Sequence, residues 1–352
     1  MPRHPVRRRK PIAIDLFAGC GGLTVGLKKA GFRVLAAVEI DRLAAETYRA
    51  NHPGVVMWRC DIRQLTTAQI LKRLKLKPGE LDLLAGCPPC QGYSTIRTHN
   101  RPKPVEDSRN DLIFDFLRLA RGLRPRSIML ENVPGLQDDD RFTTFCEKLG
   151  RLGYRCKHIV LDAAEYGVPQ RRRRLILLAA RRGIISPAPP EMESRHVIDV
   201  IGDMPPAGES GDNLHDLPES RTERIRELIA NVPKDGGSRK DLGVEFQLEC
   251  HKRTDGFKDV YGRMAWHDVA PTITGGFVNP SKGRFLHPEE DRTITLREGA
   301  LLQTFPETYR FSLKRGKFAV AEMIGNALPP EFIARHASQV RAFLLQRRIQ
   351  AP

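Results

Sequence analysis

Short apolar runs alternate with amphipathic stretches between residues 11 and 86 of this 352-residue chain. The apolar runs are IAIDLF, RVLAAVE, VVMWRCDI and LDLLAG, and the stretches between them are TVGLKKAG, DRLAAETYRANH and TTAQILKRLKL. This rhythm is typical of βαβ units, in which crossover helices cover a parallel sheet. The alternation continues through several further strands and helices, so residues 11–182 are predicted to form one doubly wound α/β domain.

The composition changes after Arg182, where Pro- and Gly-rich segments such as IISPAPP and KDGGSRKD become frequent and RTERIRELIANV alone looks helical. We interpret residues 183–290 as a small inserted module with long loops. Residues 291–317 then connect this module to residues 318–352, which we expect to return to the large domain. The tail supports this expectation, because its apolar residues recur at helical spacing at Ile333, Val340, Phe343 and Leu344.

The chain is strongly basic, with 58 Lys and Arg against 42 Asp and Glu and a formal net charge of +16. A solvated basic surface could explain some excess, but a surplus this large favours a polyanionic partner such as nucleic acid. No apolar run reaches the ~20 residues that cross a bilayer, and the start lacks the apolar segment of a signal peptide. Seven scattered cysteines do not suggest a disulfide framework. We therefore expect a cytoplasmic protein with no membrane partner.

The segment DLFAGCGG follows the first apolar run and opens a helix. Gly19, Gly21 and Gly22 would let a ligand approach the backbone, although such a turn alone is weak evidence. Glu39 ends the next strand, twenty residues after Gly19, where an acid can bind the hydroxyls of a ribose, and Asp61 closes the third strand. Because the glycines do not follow the G-x-G-x-x-G spacing, we predict a nucleoside cofactor without a pyrophosphate.

The segment LDLLAGCPPCQGYS delivers Cys87 and Cys90 onto a loop that Pro88 and Pro89 make rigid. A zinc site would need a second pair of ligands at similar spacing, and none occurs nearby. A thioredoxin-like redox pair would lie at a helix N-terminus, whereas a polar loop follows here. We therefore interpret Cys90 as a nucleophile and Cys87 as a small buried residue.

A nucleophilic thiol needs positive charge nearby, because an unperturbed thiol with a pKa near ~8.5 is mostly protonated at neutral pH. The run QRRRR, residues 170–174, supplies this charge at the mouth of a strand. Alternate residues of an extended chain point to the same side, so we expect Arg172 and Arg174 to face one site. Phosphate binding or solvation explains Arg171 and Arg173 equally well.

The segment SIMLENVPG places Glu131 and Asn132 at the end of another apolar strand. Ligands of open parallel sheets bind at the carboxyl ends of the strands. A lone acid at a strand end is usually a cap or an ion-pair residue. Four groups are predicted at the same rim, however, and together they indicate an active site: Glu39, Asp61, Cys90 and Glu131.

Taken together, these motifs closely resemble those of the DNA cytosine-5 methyltransferases of bacterial restriction-modification systems. Six blocks occur in the family's order: DLFAGCGGL (15–23), PCQGYS (89–94), ENVPG (131–135), QRRRR (170–174), REGALLQTFP (297–306) and GNALPP (325–330). The resemblance implies a Rossmann-like methyltransferase fold. Residues 1–182 plus 318–352 would form the catalytic domain, 183–290 the target-recognition domain and 291–317 a connecting hinge.

The resemblance also implies S-adenosyl-L-methionine as cofactor and assigns roles to residues. Cys90 matches the nucleophile, Glu131 the acid, and Arg172 and Arg174 the arginines of the site. The residues implied for the cofactor are Phe17, Gly19, Cys20, Gly22, Glu39, Ile40, Asp61, Ile62, Pro89, Leu112, Asn326 and Ala327. Those implied for the DNA are Gln91, Ser94, Asn132 and Thr272, and the loop from Gln91 to Ser108 would form a mobile lid.

By this resemblance, the protein would methylate C5 of a cytosine flipped out of double-stranded DNA, through a covalent bond between Cys90 and C6. We expect a monomer in the bacterial cytoplasm, associated with the nucleoid, with a cognate restriction endonuclease as a genetic partner. A tRNA cytosine-5 methyltransferase of the same fold is the main alternative. A catalytically silent DNA-binding protein is another, but it would have lost Cys90, Glu131 or the arginines, and all are present.

Overall fold

The computed structural model describes residues 9–89, 108–191, 193–246 and 259–349. The chain forms two compact units, which are described separately. Unit 1 comprises Met1–Leu161, Arg173–Pro189 and Ile333–Pro352, and unit 2 comprises Asp162–Arg172 and Pro190–Phe332. Residues 291–332 therefore lie within unit 2, whereas the sequence predicts a hinge and part of the catalytic domain there. The assignment of functional domains remains a prediction.

A seven-stranded sheet has the strand order β3-β2-β1-β4-β5-β7-β6. The strands are β1 Ile12–Leu16, β2 Arg33–Glu39, β3 Val56–Arg59, β4 Leu83–Gly86, β5 Ser127–Asn132, β6 Arg155–Asp162 and β7 Arg173–Ala180. Strands β1 to β5 pair in parallel, and β7 pairs antiparallel with β5. The predicted α/β fold is thus confirmed. The antiparallel strand departs from the parallel pattern because no crossover helix separates β6 from β7, and parallel neighbours need one.

Within the described ranges, the α-helices are α1 Gly22–Lys29, α2 Arg42–Asn51, α3 Thr67–Leu74, α4 Leu112–Leu123, α5 Asp140–Arg151, α6 Ile198–Ile201, α7 Glu223–Asn231, α8 Leu296–Leu302, α9 Gly316–Asn326 and α10 Pro330–Ile349. Short 3₁₀ turns occur at Ile62–Gln64, Ser108–Asp111, Pro134–Asp138, Ala163–Tyr166, Arg239–Asp241, Val244–Phe246 and Pro280–Lys282. Among the described residues, no helix is both long and apolar enough to span a membrane.

Side chains that cap the helices fix where several of them begin. The Asp41 carboxylate accepts a hydrogen bond from the Ala44 N–H at the start of α2, at 2.8 Å. Thr66 and Gln69 form a reciprocal capping box on α3. Such caps satisfy N–H groups that the first helical turn leaves without a partner.

The central strands of unit 1 are buried on both faces, because α4 and other helices cover the sheet. Ile14, Leu84 and Leu130 are fully enclosed in this core. Phe116 of α4 meets Phe145 of α5 edge to face, with ring centroids 6.0 Å apart. Continuous burial explains why these strands appear in the sequence as unbroken apolar runs.

Unit 2 has a smaller apolar cluster that includes Leu228, Ile229 and Leu286. A fully buried Arg263 is bonded within this unit. Its guanidinium donates to the carbonyl oxygens of Ile229 and Val232 at 2.8 and 2.9 Å. The guanidinium also donates to the His287 carbonyl oxygen at 3.0 Å, so the arginine links the end of α7 to a second segment of unit 2.

Candidate active site

The carboxyl ends of β1, β4 and β5 lie side by side in unit 1. Leu16 pairs with Gly86, and Gly86 pairs with Leu130. The next residues along these strands, Phe17, Cys87 and Glu131, are consequently brought to one edge of the sheet. This is the edge where open α/β sheets bind their ligands.

Gly86 ends β4 where the chain is tightly packed. A Cβ atom at this position would lie 2.6 Å from the Leu16 carbonyl oxygen, a distance that real Cβ contacts do not reach. The Cys87 N–H then donates to the same carbonyl at 3.3 Å, which extends the β1–β4 ladder by one residue. The absence of a side chain at Gly86 therefore allows the loop that begins at Cys87 to start close to β1.

Asn132 secures the next residue of this loop. Its Nδ2 donates to the Pro88 carbonyl oxygen at 2.9 Å, and both residues are buried. The amide thus fixes the main chain two residues before the predicted nucleophile. Cys90 itself, with the predicted DNA contacts Gln91 and Ser94, lies outside the described residues.

The Glu131 carboxyl is almost completely buried, with 1% of its surface exposed. Arg174 of β7 forms an ion pair with it, the Nε lying 3.0 Å from Oε1. Cys87 Sγ donates to the other oxygen, Oε2, at 2.8 Å. A buried carboxylate requires such partners, because leaving water unpaired is very costly for an ion.

The prediction that Cys87 is only a small buried residue is wrong. The thiol is half-buried and touches the predicted catalytic acid. Sequence spacing could not show this contact, because it depends on the register between β4 and β5, strands whose paired residues are 44 positions apart.

Arg172 lies in unit 2 and is 3% exposed. Its guanidinium donates to the carbonyl oxygens of Ile273, Gly325 and Ala327, at 2.9, 3.0 and 3.1 Å. Its main-chain N–H donates to Asp162 at 2.8 Å. Since Arg174 belongs to unit 1, the expectation that the two guanidinium groups share one site remains a prediction.

Gln170 and Thr272 are bound into the same unit as Arg172. Gln170 is fully buried, accepts a bond from the Ile273 N–H at 2.9 Å and donates to Gln303 Oε1 at 3.1 Å. The predicted DNA contact Thr272 donates its hydroxyl to the Arg171 carbonyl oxygen at 2.7 Å. The sequence block QRRRR indicated Gln170, but gave no sign of its bonding partners.

The glycine-rich turn between β1 and α1 has the backbone of a ligand-binding loop. Gly19 and Gly21 have φ angles of +53° and +108°, and Phe17 also has a positive φ of 60°. A Cβ atom at Gly19 would meet open space, so the backbone there is accessible. Helix α1 begins at Gly22 with no side chain capping it.

Glu39 lies beside this turn, as its spacing predicts. Its two carboxylate oxygens accept hydrogen bonds from the N–H groups of Gly19 and Asp41, at 2.7 and 2.8 Å. Burial raises the pKa of Glu39, and these backbone bonds oppose the shift. The next residue, Ile40, leaves an apolar side chain 64% exposed.

The other predicted cofactor residues vary in exposure. Asp61 is hydrogen-bonded by Arg63, which lowers the pKa of the carboxyl, and Ile62 is buried next to it. Pro89 and Leu112 are half-buried in unit 1, where Gly22 is buried. Asn326 is exposed and Ala327 half-buried, and both lie in unit 2. Cys20 is buried, which raises the pKa of its thiol to about 12, so it does not act as a thiolate.

The residues of the turn fit a nucleoside cofactor. An accessible backbone at Gly19, a carboxylate at Glu39 and an exposed apolar side chain at Ile40 offer contacts for a hydroxyl-bearing sugar and a flat base. Asp61 adds a second carboxylate at the end of β3, where a nucleoside amine or hydroxyl could donate to it. These groups come from three strand ends in unit 1.

Asp15 was not singled out in the sequence, yet it lies buried in β1 directly before this turn. Its Oδ2 accepts a bond from the Thr24 hydroxyl at 2.7 Å, and Tyr48 lies 2.7 Å from the same hydroxyl. Burial, and secondarily the charge of Glu39, raises the pKa of Asp15 to about 7, whereas Thr24 opposes the shift. The signal available was an acid inside the apolar run IAIDLF.

Comparison with known proteins identifies the family of this chain. The profile of the C-5 cytosine-specific DNA methylases matches residues 12–342. The chain belongs to this family. The type II methylase M.HgiDII of Herpetosiphon aurantiacus is 37% identical over 349 residues, which cover 94% of this chain and 95% of that protein. The type II methyltransferase M1.HphI of Haemophilus parahaemolyticus is 34% identical over 90% of this chain and 83% of its own length.

Solved structures agree with this family assignment. A prophage-encoded candidate DNA modification methyltransferase of E. coli superposes with a TM-score of 0.69 at 26% identity, over 96% of this chain and 99% of that one. The Dnmt2 methyltransferase of S. pombe superposes with a TM-score of 0.61 at 20% identity, over 97% and 99% of the two chains, which shows the fold alone. The predicted family and its cofactor, S-adenosyl-L-methionine, are confirmed.

Proposed function

We propose that this C-5 cytosine methylase modifies one cytosine within a specific sequence of double-stranded DNA, through a covalent bond between Cys90 and C6 of the base. The observation that carries this proposal is the Glu131 carboxyl, buried at the end of β5 between Arg174 and Cys87. Cys90 follows two residues after Pro88, whose carbonyl is held by Asn132.

The base requires covalent activation, because C5 of cytosine is too weak a nucleophile to accept a methyl group directly. Addition of the Cys90 thiolate at C6 creates an enamine, in which C5 becomes nucleophilic. After methyl transfer, removal of the proton from C5 allows the thiolate to leave and restores the aromatic ring. Bound S-adenosyl-L-methionine would supply the methyl group as an electrophile.

Glu131 acts as the acid in this proposal. It donates or shares a proton with N3 of the base as the thiolate adds, which prevents negative charge from accumulating on the ring. Arg174 would then bind the carbonyl oxygen of the cytosine, where charge also develops. Their mutual contact, 3.0 Å from Nε to Oε1, keeps both groups at one point before the base enters.

Residues of the glycine-rich turn would hold the cofactor. Phe17 and Gly19 would line its pocket, Glu39 would bind the ribose hydroxyls, and Ile40 and Asp61 would contact the adenine. Burial raises the pKa of Glu39, and a hydroxyl donor would relieve the cost of burying its charge. Leu112, Asn326 and Ala327 are proposed to complete the pocket.

The target base must leave the stacked duplex to reach the thiol, which costs a few kcal/mol. Residues 183–290 are the proposed reader of the DNA sequence, and the net charge of +16 favours binding to a phosphate backbone. The chain is further proposed to act as a monomer and to have a cognate endonuclease as its genetic partner.

A mechanism-based trap tests the proposal. A duplex in which 5-fluorocytosine replaces the target cytosine should form a stable adduct in the presence of cofactor, because fluorine cannot leave C5 as a proton does. Peptide mass spectrometry should find the adduct on Cys90. An unmodified Cys90, or an adduct on another cysteine, would refute the covalent route, and Cys90→Ala provides the control.

A further inference from the structure

The contact between Cys87 and Glu131 is not required by the proposed chemistry, which needs only one thiol. The two residues meet because β4 and β5 pair in parallel with Gly86 opposite Leu130, so the next position on each strand is Cys87 and Glu131. The Cys87 N–H is held by the Leu16 carbonyl at 3.3 Å. The thiol therefore projects from a backbone position that the sheet itself fixes.

The Glu131 carboxyl has a different partner on each oxygen. Arg174 of β7 lies 3.0 Å from Oε1, and the Cys87 thiol lies 2.8 Å from Oε2. Both stabilise the carboxylate ion, the arginine by its charge and the thiol by a hydrogen bond. Asn132, the neighbouring side chain on the same strand, is neutral and bonds to Pro88 instead.

We propose that Cys87 is a positioning residue of the methylase site, whose thiol fixes the Glu131 carboxyl and favours its ionised form until cytosine enters. A thiol suits this role because it is a weak donor. It orients Oε2 but opposes protonation less than a hydroxyl would, and Glu131 must carry a proton when the base reacts. This inference rests on the proposed function of Glu131 as the acid.

The main test measures the rate of a single turnover against pH for the wild type, Cys87→Ala and Cys87→Ser. In Cys87→Ala the carboxyl has lost a donor and keeps its proton to higher pH, so the alkaline fall in rate should move upward. The maximal rate should decrease about 3- to 10-fold, as expected for the loss of one hydrogen bond from a weak donor. Cys87→Ser should move the fall below the wild-type pH, because a hydroxyl is a stronger donor to the carboxylate than a thiol is.

Cys156→Ser on β6 is the matched control, since it makes the same change from thiol to hydroxyl at a half-buried position outside the site. Its profile should equal that of the wild type. A Cys87→Ala profile that coincides with the wild type, in folded protein that binds S-adenosyl-L-methionine, would overturn the proposal. If Cys87→Ala does not fold, Cys87→Ser decides alone, because an unchanged alkaline fall would then overturn the proposal.

A second readout requires no catalysis. The ¹³C signal of the Glu131 carboxyl, assigned by its loss in Glu131→Gln, should titrate at higher pH in Cys87→Ala than in the wild type. An identical titration would refute the role of Cys87 even if the enzyme methylates DNA. A shifted titration in a protein that methylates no DNA would refute the proposed function and leave the contact supported.

Discussion

Arg174 and Arg172 are two residues apart in one arginine run, yet their surroundings differ. In unit 1, the Arg174 guanidinium faces the Glu131 carboxylate. In unit 2, the Arg172 guanidinium donates to three main-chain carbonyls from two separate segments. An ion paired with a reactive acid can be redirected toward a substrate. An ion that is bonded to the main chain of two segments has a structural role. We therefore expect Arg174 to take part in catalysis and Arg172 to stabilise the fold.

The surroundings of Asp15 make a third case. Its carboxyl is buried in unit 1, where the Thr24 hydroxyl donates to it, and its pKa rises to about 7. Glu131, Arg172 and Asp15 thus show three ways to bury an ionisable group: by an opposite charge, by carbonyls, or by allowing the group to become neutral. Each way predicts a different response to mutation.

The largest effect is expected from Glu131→Gln. The amide keeps the shape of the side chain but cannot supply the proton to N3, so kcat should fall about 10²- to 10⁴-fold. Affinity for S-adenosyl-L-methionine, measured by calorimetry, should be unchanged. A variant with nearly full turnover would show that the paired acid in unit 1 has no catalytic role.

Arg174→Ala should lower kcat about 10²- to 10³-fold, as the loss of a donor to a developing charge does in other enzymes. Steady-state methylation of duplex DNA measures this. Arg174→Lys should recover only part of the rate, because an ammonium group lacks the planar donor geometry of a guanidinium. Equal activity of the alanine variant and the wild type would remove the contrast with Arg172.

Arg172→Ala should reduce the free energy of unfolding by about 2–4 kcal/mol, because three carbonyls, two of them buried, lose a charged donor. Urea unfolding measures this loss. Arg173→Ala is the most informative comparison. Because the Arg173 side chain is exposed, its removal should change the free energy of unfolding by no more than about 0.5 kcal/mol. If Arg172→Ala is as stable as the wild type but inactive, the assignment of Arg172 to architecture is wrong.

The effect of Asp15 on stability should be visible as a pH dependence. Its pKa is raised in the folded state from an ordinary value of 3.8 to about 7, so the folded protein binds the proton more tightly. This contribution to stability is complete below about pH 4 and is lost as pH rises through 7, at about 1.4 kcal/mol per pH unit.

Asp15→Asn removes this contribution. Its unfolding free energy, relative to the wild type, should therefore rise between pH 4 and 7 and level off above that range. Urea titrations at several pH values measure the difference, with Glu165→Gln on an exposed turn as control. A difference that does not change with pH would show that Asp15 is ionised in the folded protein.

The architecture of the large sheet could be predicted from the sequence because β1, β4 and β5 are buried on both faces and appear as apolar runs. The antiparallel β7 could not, since its direction depends on the short connection from β6. Glu39 was placed by its distance from Gly19, a local pattern of one βαβ unit, and its bond to the Gly19 N–H fits that prediction.

Contacts that depend on register or on distant loops were not visible in the sequence. Cys87 meets Glu131 only because of how two strands align. The partners of Arg172 lie more than 100 residues further along the chain, in segments without regular alternation. Sequence patterns report local burial, whereas such contacts are set by tertiary packing.

Methyl transfer to cytosine in duplex DNA tests the central claim most directly. Purified protein is incubated with radiolabelled S-adenosyl-L-methionine and either duplex DNA or tRNA, and the DNA of expressing cells is sequenced after bisulfite treatment. The account predicts label in duplex DNA and 5-methylcytosine at one recurring sequence, both abolished by Cys90→Ala. Label in tRNA alone, or methylation that survives Cys90→Ala, would contradict it.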